Sequence, residues 1–134
     1  MKKILYILFI FIFCNIFQLN AEEIPYLLTA SAKGDLETVK AIILSGGDPN
    51  TEDKDNINAL MYASRKNQVA IVEYLISQGA KVNNVESEGW TALMFASKKN
   101  HNETVKVLLN NNADPKITDP DGWSAYGLDA TSGH

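Results

Sequence analysis

The sequence is poor in the residue types on which most catalytic and metal sites depend. Its 134 residues include one cysteine and two histidines, and the histidines, His101 and His134, are far apart in the chain. No zinc-protease, serine-hydrolase or phosphate-binding motif occurs in it. We therefore expect no catalysis, no metal site and no cofactor, and an enzyme or metal protein is the least favoured of the possible function classes.

An excess of positive charge is also lacking. The chain has 12 lysines and arginines against 16 aspartates and glutamates, which gives a formal net charge of −4. Proteins that bind nucleic acid generally present a basic surface to the phosphates. The acidic balance argues against a nucleic-acid partner, and the length allows one small domain at most.

Long apolar runs are confined to the N-terminal part of the chain. Two lysines form a basic start, an unbroken apolar run covers residues 4–13, and the small residue Ala21 precedes two glutamates. This order is typical of a cleavable secretory signal peptide. We interpret residues 1–21 as the signal and residues 22–134 as the mature protein, which would have no cysteine and a formal net charge of −6.

The same segment allows two alternatives. One is an uncleaved membrane anchor, which would make the protein a membrane-tethered scaffold. The apolar run ends before Asn15, however, and is short of the ~20 residues that span a bilayer. The other is a lipoprotein acylated on Cys14, for which a small residue is needed where Phe13 stands.

An internal repeat organises the rest of the chain. The stretch N-A-L-M-Y-A-S at 58–64 recurs as T-A-L-M-F-A-S at 91–97, an offset of 33 residues. Each unit contains two stretches with apolar residues three or four positions apart, the spacing of one helix face. The first of these stretches is preceded by a side chain that can cap a helix. These capping residues are Asn58, Thr91 and Ser124.

Glycine or asparagine follows every predicted helix. Both residues tolerate a left-handed backbone, which is the usual way to end a helix and turn the chain. The pattern therefore predicts helix–turn–helix–turn in each unit. These positions are Gly34, Asn67 and Asn100 after the first helix, and Gly46, Gly79 and Asn112 after the second.

The stretches G-W-T-A-L-M-F-A at 89–96 and N-H-N-E-T-V at 100–105 resemble the ankyrin repeat, over about residues 25–126 in all. The resemblance implies an all-α repeat solenoid whose units each combine two helices with a β-hairpin turn, and a structural role for His101 in the first turn. The expected units are three repeats and a partial cap repeat, at about 22–53, 54–86, 87–119 and 120–134.

The resemblance also implies a concave groove, lined by the first helices and the hairpins, that holds a protein partner. The residues expected to contact it are aromatic or basic and lie on the first helices or where the hairpins join them. They are Tyr62, Phe95, Trp90, Trp123, Arg65, Lys66, Lys98 and Lys99. Structural explanations stand beside this one, because helix dipoles favour basic C-termini and tryptophans can pack on a neighbouring repeat.

The function predicted from these features is that of an exported, non-catalytic interaction module in the bacterial periplasm. It would act as a monomer on an unidentified protein partner, without nucleic acid, and without a membrane once the signal is cleaved. A secreted factor acting on host proteins is an alternative within the same class.

Overall fold

The computed structural model describes residues 24–127. The predicted signal peptide, 1–21, and the end of the predicted cap repeat, 128–134, lie outside the described residues. Within 24–127, helices alternate with turns, and the backbone forms no strand beyond two isolated antiparallel bridges. The predicted all-α repeat solenoid is confirmed. Its helices are α1 Tyr26–Lys33, α2 Leu36–Leu44, α3 Ala59–Arg65, α4 Val69–Ser77, α5 Ala92–Lys98 and α6 Asn102–Asn110.

The first helices of the units begin at the residues predicted to cap them. The Asn58 side chain accepts the Met61 N–H at 2.9 Å, and the Thr91 hydroxyl accepts the Met94 N–H at 3.2 Å. The Ser124 hydroxyl accepts a third such bond, at 3.3 Å, where the fourth unit starts. A side-chain oxygen at this position satisfies a backbone donor that the helix itself leaves free.

The predicted left-handed residues are found at the ends of the helices. Asn67 and Asn100 have φ angles of 57° and 59°, and Asn112 has a φ of 70°. Gly34, at the equivalent place in the first unit, has a φ of 81°. Asparagine tolerates this conformation better than other residues with a β-carbon, so the turns keep one geometry with either residue.

A single apolar core runs along the stack of helices. The first helices α1, α3 and α5 pack side by side, and each also packs against the second helix of its own unit. Leu60 and Leu93, which are equivalent in successive units, are 1% and 2% exposed. None of the helices that the structure describes is long and apolar enough to cross a membrane.

Two polar contacts repeat between neighbouring units. The Gln68 side chain donates to the Ala32 carbonyl at 3.1 Å. His101, its equivalent one unit later, places Nε2 3.0 Å from the Arg65 carbonyl. Because a carbonyl oxygen can only accept, Nε2 of His101 carries the proton. The expected structural role of His101 is confirmed.

An asparagine side chain makes the second repeated contact. Asn83 donates to the Asn112 carbonyl at 3.0 Å and accepts the Asp114 N–H at 2.8 Å. Asn50 makes the same pair of bonds with the Gly79 carbonyl and the Lys81 N–H. Each asparagine amide thus joins the loop that follows the second helix of its own unit to the corresponding loop of the next unit.

Candidate functional site

Three hairpins, here called fingers, precede the first helices of the second, third and fourth units. Each finger starts at an acidic residue, and one oxygen of that carboxylate accepts the N–H groups two and four residues later, at 2.8–3.0 Å. These bonds close the hairpin. The fingers are finger 1, residues 53–57; finger 2, residues 86–90; and finger 3, residues 119–123.

The closing carboxylates were missed as structural residues in the sequence. Asp53, Glu86 and Asp119 recur at the 33-residue period, and this recurrence was the available signal. Their role accounts for part of the acidic character of the fingers. The acidic side chains left exposed to a partner are Glu52, directly before finger 1, and three that lie nearer the tips, namely Asp55, Glu88 and Asp121.

Tyr62 fastens finger 1 to helix α3. Its side chain is largely buried, and its hydroxyl donates to Oδ2 of Asp53 at 2.7 Å. Burial, followed by the hydrogen bond to Asp53 and that residue's negative charge, raises the pKa of Tyr62 to about 12. Burial would also raise the pKa of Asp53. The bonds from Tyr62 and from the finger's own N–H groups outweigh it and lower that pKa.

Arg65 lies between two aromatic rings. Its guanidinium carbon is 5.1 Å from the centre of the Tyr62 ring and 5.9 Å from the centre of the Phe95 ring. The Phe95 ring in turn lies 5.3 Å from that of Trp90, tilted by 46°. These four residues form one continuous row across two units, which we call the aromatic–arginine row. Contacts between a guanidinium and a ring contribute about 0.5–1 kcal/mol each at partly exposed sites.

The two tryptophans differ in their surroundings. Trp90 is partly buried, and its indole N–H donates to Oδ2 of Asp119 at 3.1 Å. This bond connects finger 2 to finger 3. Trp123 is 46% exposed. Trp90 therefore has a structural role in addition to any contact with a partner, while much of the Trp123 side chain is open to solvent.

The basic residues predicted for the site lie at the ends of the first helices. Lys66 directly follows α3, Lys98 is the last residue of α5 and Lys99 directly follows it; all three side chains are exposed. Arg65, in the last turn of α3, is only partly exposed because it lies against the aromatic rings. The lysines fit both explanations given for them, a favourable helix dipole and a charged edge for a partner.

A cleft of about 400 Å³ opens between fingers 1 and 2 and the first helices. It brings together three of the predicted site residues, Arg65, Trp90 and Phe95. It does not include Tyr62, Trp123 or the three lysines. The residues that line it are Asp55, Ile57, Arg65, Glu86, Ser87, Glu88, Trp90 and Phe95.

The cleft offers aromatic faces, carboxylates and a guanidinium, which suit recognition of a polar or charged group on another molecule. In the range 24–127, no group of three or more histidine, cysteine, aspartate or glutamate side chains is arranged to hold a metal ion.

Comparison with known families identifies the repeat. The sequence profile of ankyrin repeats, in three copies, matches residues 27–119. The chain belongs to the ankyrin-repeat family. A search of curated proteins found no matching sequence. Ankyrin repeats generally mediate protein–protein interaction, and ankyrin domains are typically non-catalytic binding modules.

The candidate site differs from the rest of this ankyrin domain in how far its residue types vary between units. The capping, turn and core positions keep the same residue types from one repeat to the next. Three positions around the cleft do not: Ile57 is equivalent to Trp90, Tyr62 is equivalent to Phe95, and Ser87 is equivalent to Lys54. The cleft therefore has a composition that the other fingers do not reproduce.

Proposed function

We propose that this ankyrin-repeat protein is an exported, non-catalytic binding module. It holds a protein partner in the groove between its fingers and its first helices. The observation that carries the proposal is the cleft between fingers 1 and 2, in which the aromatic–arginine row meets exposed acidic residues. Tryptophan, tyrosine and arginine are the residue types that contribute most energy to protein interfaces.

The row is already ordered before any partner binds. The rings of Tyr62 and Phe95 hold the Arg65 guanidinium between them, and the Tyr62 hydroxyl is fixed by Asp53. A side chain that is ordered in the free protein loses less conformational entropy on binding. Arg65, Phe95 and Trp90 would therefore provide the centre of the interface.

Two charged edges border this centre. Lys66, Lys98 and Lys99 are exposed at the ends of the first helices, and Asp55, Glu88 and Asp121 are exposed on the fingers. Edges of opposite sign orient a partner and raise its association rate more than its affinity. The two charged edges would add to the contacts that the aromatic–arginine row makes with the partner.

The proposed location rests on the N-terminal sequence. A basic start, a short apolar run and Ala21 support a signal peptide at 1–21 and a mature ankyrin domain at 22–134 in the bacterial periplasm. We propose that the domain acts there as a monomer. A secreted factor that acts on host proteins, or a membrane-tethered scaffold with an uncleaved signal, would use the same groove. Mass spectrometry of the exported protein tests this part, because cleavage removes residues 1–21.

The groove itself is tested by cross-linked affinity capture from the periplasm and the culture medium of the native bacterium. The bait variant Lys98→Glu/Lys99→Glu reverses two charges at the edge of the groove. The control Lys81→Glu/Lys106→Glu makes the same change in charge in the loop after α4 and on the second helix α6. We expect a partner that the wild type and the control capture and the groove variant loses. Equal capture by both variants would place the interaction outside the groove edge.

A further inference from the structure

Glu86 differs from the other closing carboxylates in what its second oxygen contacts. In finger 1, Oδ2 of Asp53 accepts a bond from the hydroxyl of Tyr62, nine residues later. In finger 3, Oδ2 of Asp119 accepts a bond from the indole of Trp90, 29 residues earlier. Each of these carboxylates therefore uses one oxygen to close its finger and the other to accept from an aromatic side chain.

Neither donor exists for finger 2. The residue nine positions after Glu86 is Phe95, which has no hydroxyl, and the residue 29 positions before it is Ile57, which has no N–H in its side chain. Oε1 of Glu86 accepts the two N–H groups of its own finger at 2.8 and 2.9 Å. No group in residues 24–127 donates to Oε2, and this oxygen is open to solvent in the cleft that Glu86 lines, although the residue as a whole is only 8% exposed. A carboxylate oxygen that opens into a cleft and has no donor within the protein can accept a bond from a donor on another molecule.

The surroundings of Glu86 indicate a cationic donor. Of the eight residues that line the cleft, three are acidic and one is basic. The basic one, Arg65, lies against the rings of Tyr62 and Phe95. A neutral donor would satisfy Oε2 but leave the negative charge of Asp55 and Glu88 uncompensated, and an anionic group would be repelled.

The cleft is also fixed in shape between the two fingers. The backbone N–H and the hydroxyl of Ser87 both donate to the Asp55 carbonyl, at 2.9 and 2.7 Å. These bonds join the tip of finger 1 to finger 2, and Asp55 and Glu88 both line the cleft. A site formed in advance loses less entropy when a ligand enters.

We propose that the cleft accepts a lysine or arginine side chain of the partner. The cationic head donates to Oε2 of Glu86, with Asp55 and Glu88 beside it, and the aliphatic stem packs against Trp90 and Phe95. Charge-assisted hydrogen bonds are stronger than neutral ones, and long cationic side chains bury their stems on apolar surface. This inference rests on the proposed function, since it assigns the chemistry of one residue of the protein partner.

Selection from a displayed library of random linear peptides tests the inference. Wild type and Glu86→Gln serve as baits, and Glu73→Gln, an exposed change on the second helix α4, serves as the control. Glutamine keeps an acceptor oxygen to close the finger, and thermal unfolding verifies that each bait is folded. We expect wild type and Glu73→Gln to enrich lysine or arginine at one fixed peptide position, and Glu86→Gln to lose that preference.

A binding cycle then assigns the contact to Glu86. A selected peptide is measured against wild type and Glu86→Gln, with its cationic residue intact or replaced by norleucine. We expect Glu86→Gln to weaken the cationic peptide about tenfold or more and to leave the norleucine peptide unchanged. Selected peptides without a cationic preference, or with one that Glu86→Gln retains, would overturn this inference and leave the proposed function standing. A wild-type bait that selects no peptide at all would contradict both.

Discussion

The Tyr62 hydroxyl and Oδ2 of Asp53 are 2.7 Å apart, and this bond connects a finger to the helix behind it. The other oxygen of Asp53 accepts the N–H groups of Asp55 and Ile57 at 2.9 and 3.0 Å. A single carboxylate therefore shapes the hairpin and fixes its position. Because Arg65 lies against the Tyr62 ring, the same bond also orders one end of the aromatic–arginine row.

Removing the hydroxyl should reveal the strength of this connection. We expect Tyr62→Phe to lower the free energy of unfolding by about 1–3 kcal/mol, because the ring keeps its packing while Asp53 loses a donor. Urea denaturation measures the change. Tyr126→Phe is the matched control, since that side chain is 80% exposed and its substitution should leave the stability unchanged. Equal unfolding midpoints for all three proteins would show that the bond adds nothing to stability.

The same pair predicts how stability depends on pH at the alkaline end. The pKa of Tyr62 is raised from 10.0 to about 12 in the folded protein, so the folded state holds this proton more tightly than the unfolded state. The resulting stability is fully present below pH ~10 and is lost as the pH rises toward ~12. Wild type should lose more unfolding free energy over this window than Tyr62→Phe. Parallel curves would contradict the assignment.

Asp53 predicts the opposite trend in acid. Its pKa is lowered in the folded protein, so its contribution is present above the unfolded value of 3.8 and is lost as the pH falls through the folded value. Asp53→Asn should therefore remove part of the loss of stability seen on acidification below pH ~4. Urea midpoints of both proteins at neutral and acid pH measure the difference.

The fold could be predicted from the sequence because its determinants repeat. Apolar spacing, capping residues such as Thr91 and left-handed residues such as Asn100 recur at one offset, so each unit supports the interpretation of the others. The partnerships of the site do not repeat in this way. Tyr62 donates to Oδ2 of Asp53, whereas Phe95 at the equivalent position has no hydroxyl to donate to Oε2 of Glu86. The periodic pattern contains no information on such contacts.

The placement of individual side chains also required the structure. From the sequence, Tyr62 and Phe95 are equivalent aromatic residues on the first helices. In the structure Tyr62 is a buried connection to Asp53, while Phe95 is partly exposed and lines the cleft. The connection to Asp53 depends on the hydroxyl of Tyr62, which reaches a carboxylate nine residues earlier, and equivalence by position alone does not predict it.

The asparagine contacts between units predict that alanine substitution at two equivalent positions changes the free energy of unfolding by different amounts. The Asn83 side chain makes two bonds to the following unit, whereas Lys116, one repeat later, has no side-chain acceptor for such a pair. We expect Asn83→Ala to cost about 1–2 kcal/mol of unfolding free energy. Lys116→Ala, also exposed, should be neutral. A neutral Asn83→Ala would mean that water replaces both bonds without loss.

Replacing either of two buried serines at equivalent positions by alanine should affect stability differently. The Ser31 hydroxyl donates to the Leu27 carbonyl at 2.7 Å, whereas the Ser64 hydroxyl, equally buried, has no partner among the described residues. Ser31→Ala removes a satisfied bond and should cost about 1 kcal/mol. Ser64→Ala removes a buried polar group without a partner, so it should leave the unfolding free energy unchanged or raise it. Thermal and urea unfolding of the two variants provide the comparison. An equal loss in both would show that Ser64 also bonds in solution, either to the carbonyl four residues earlier or to a buried water.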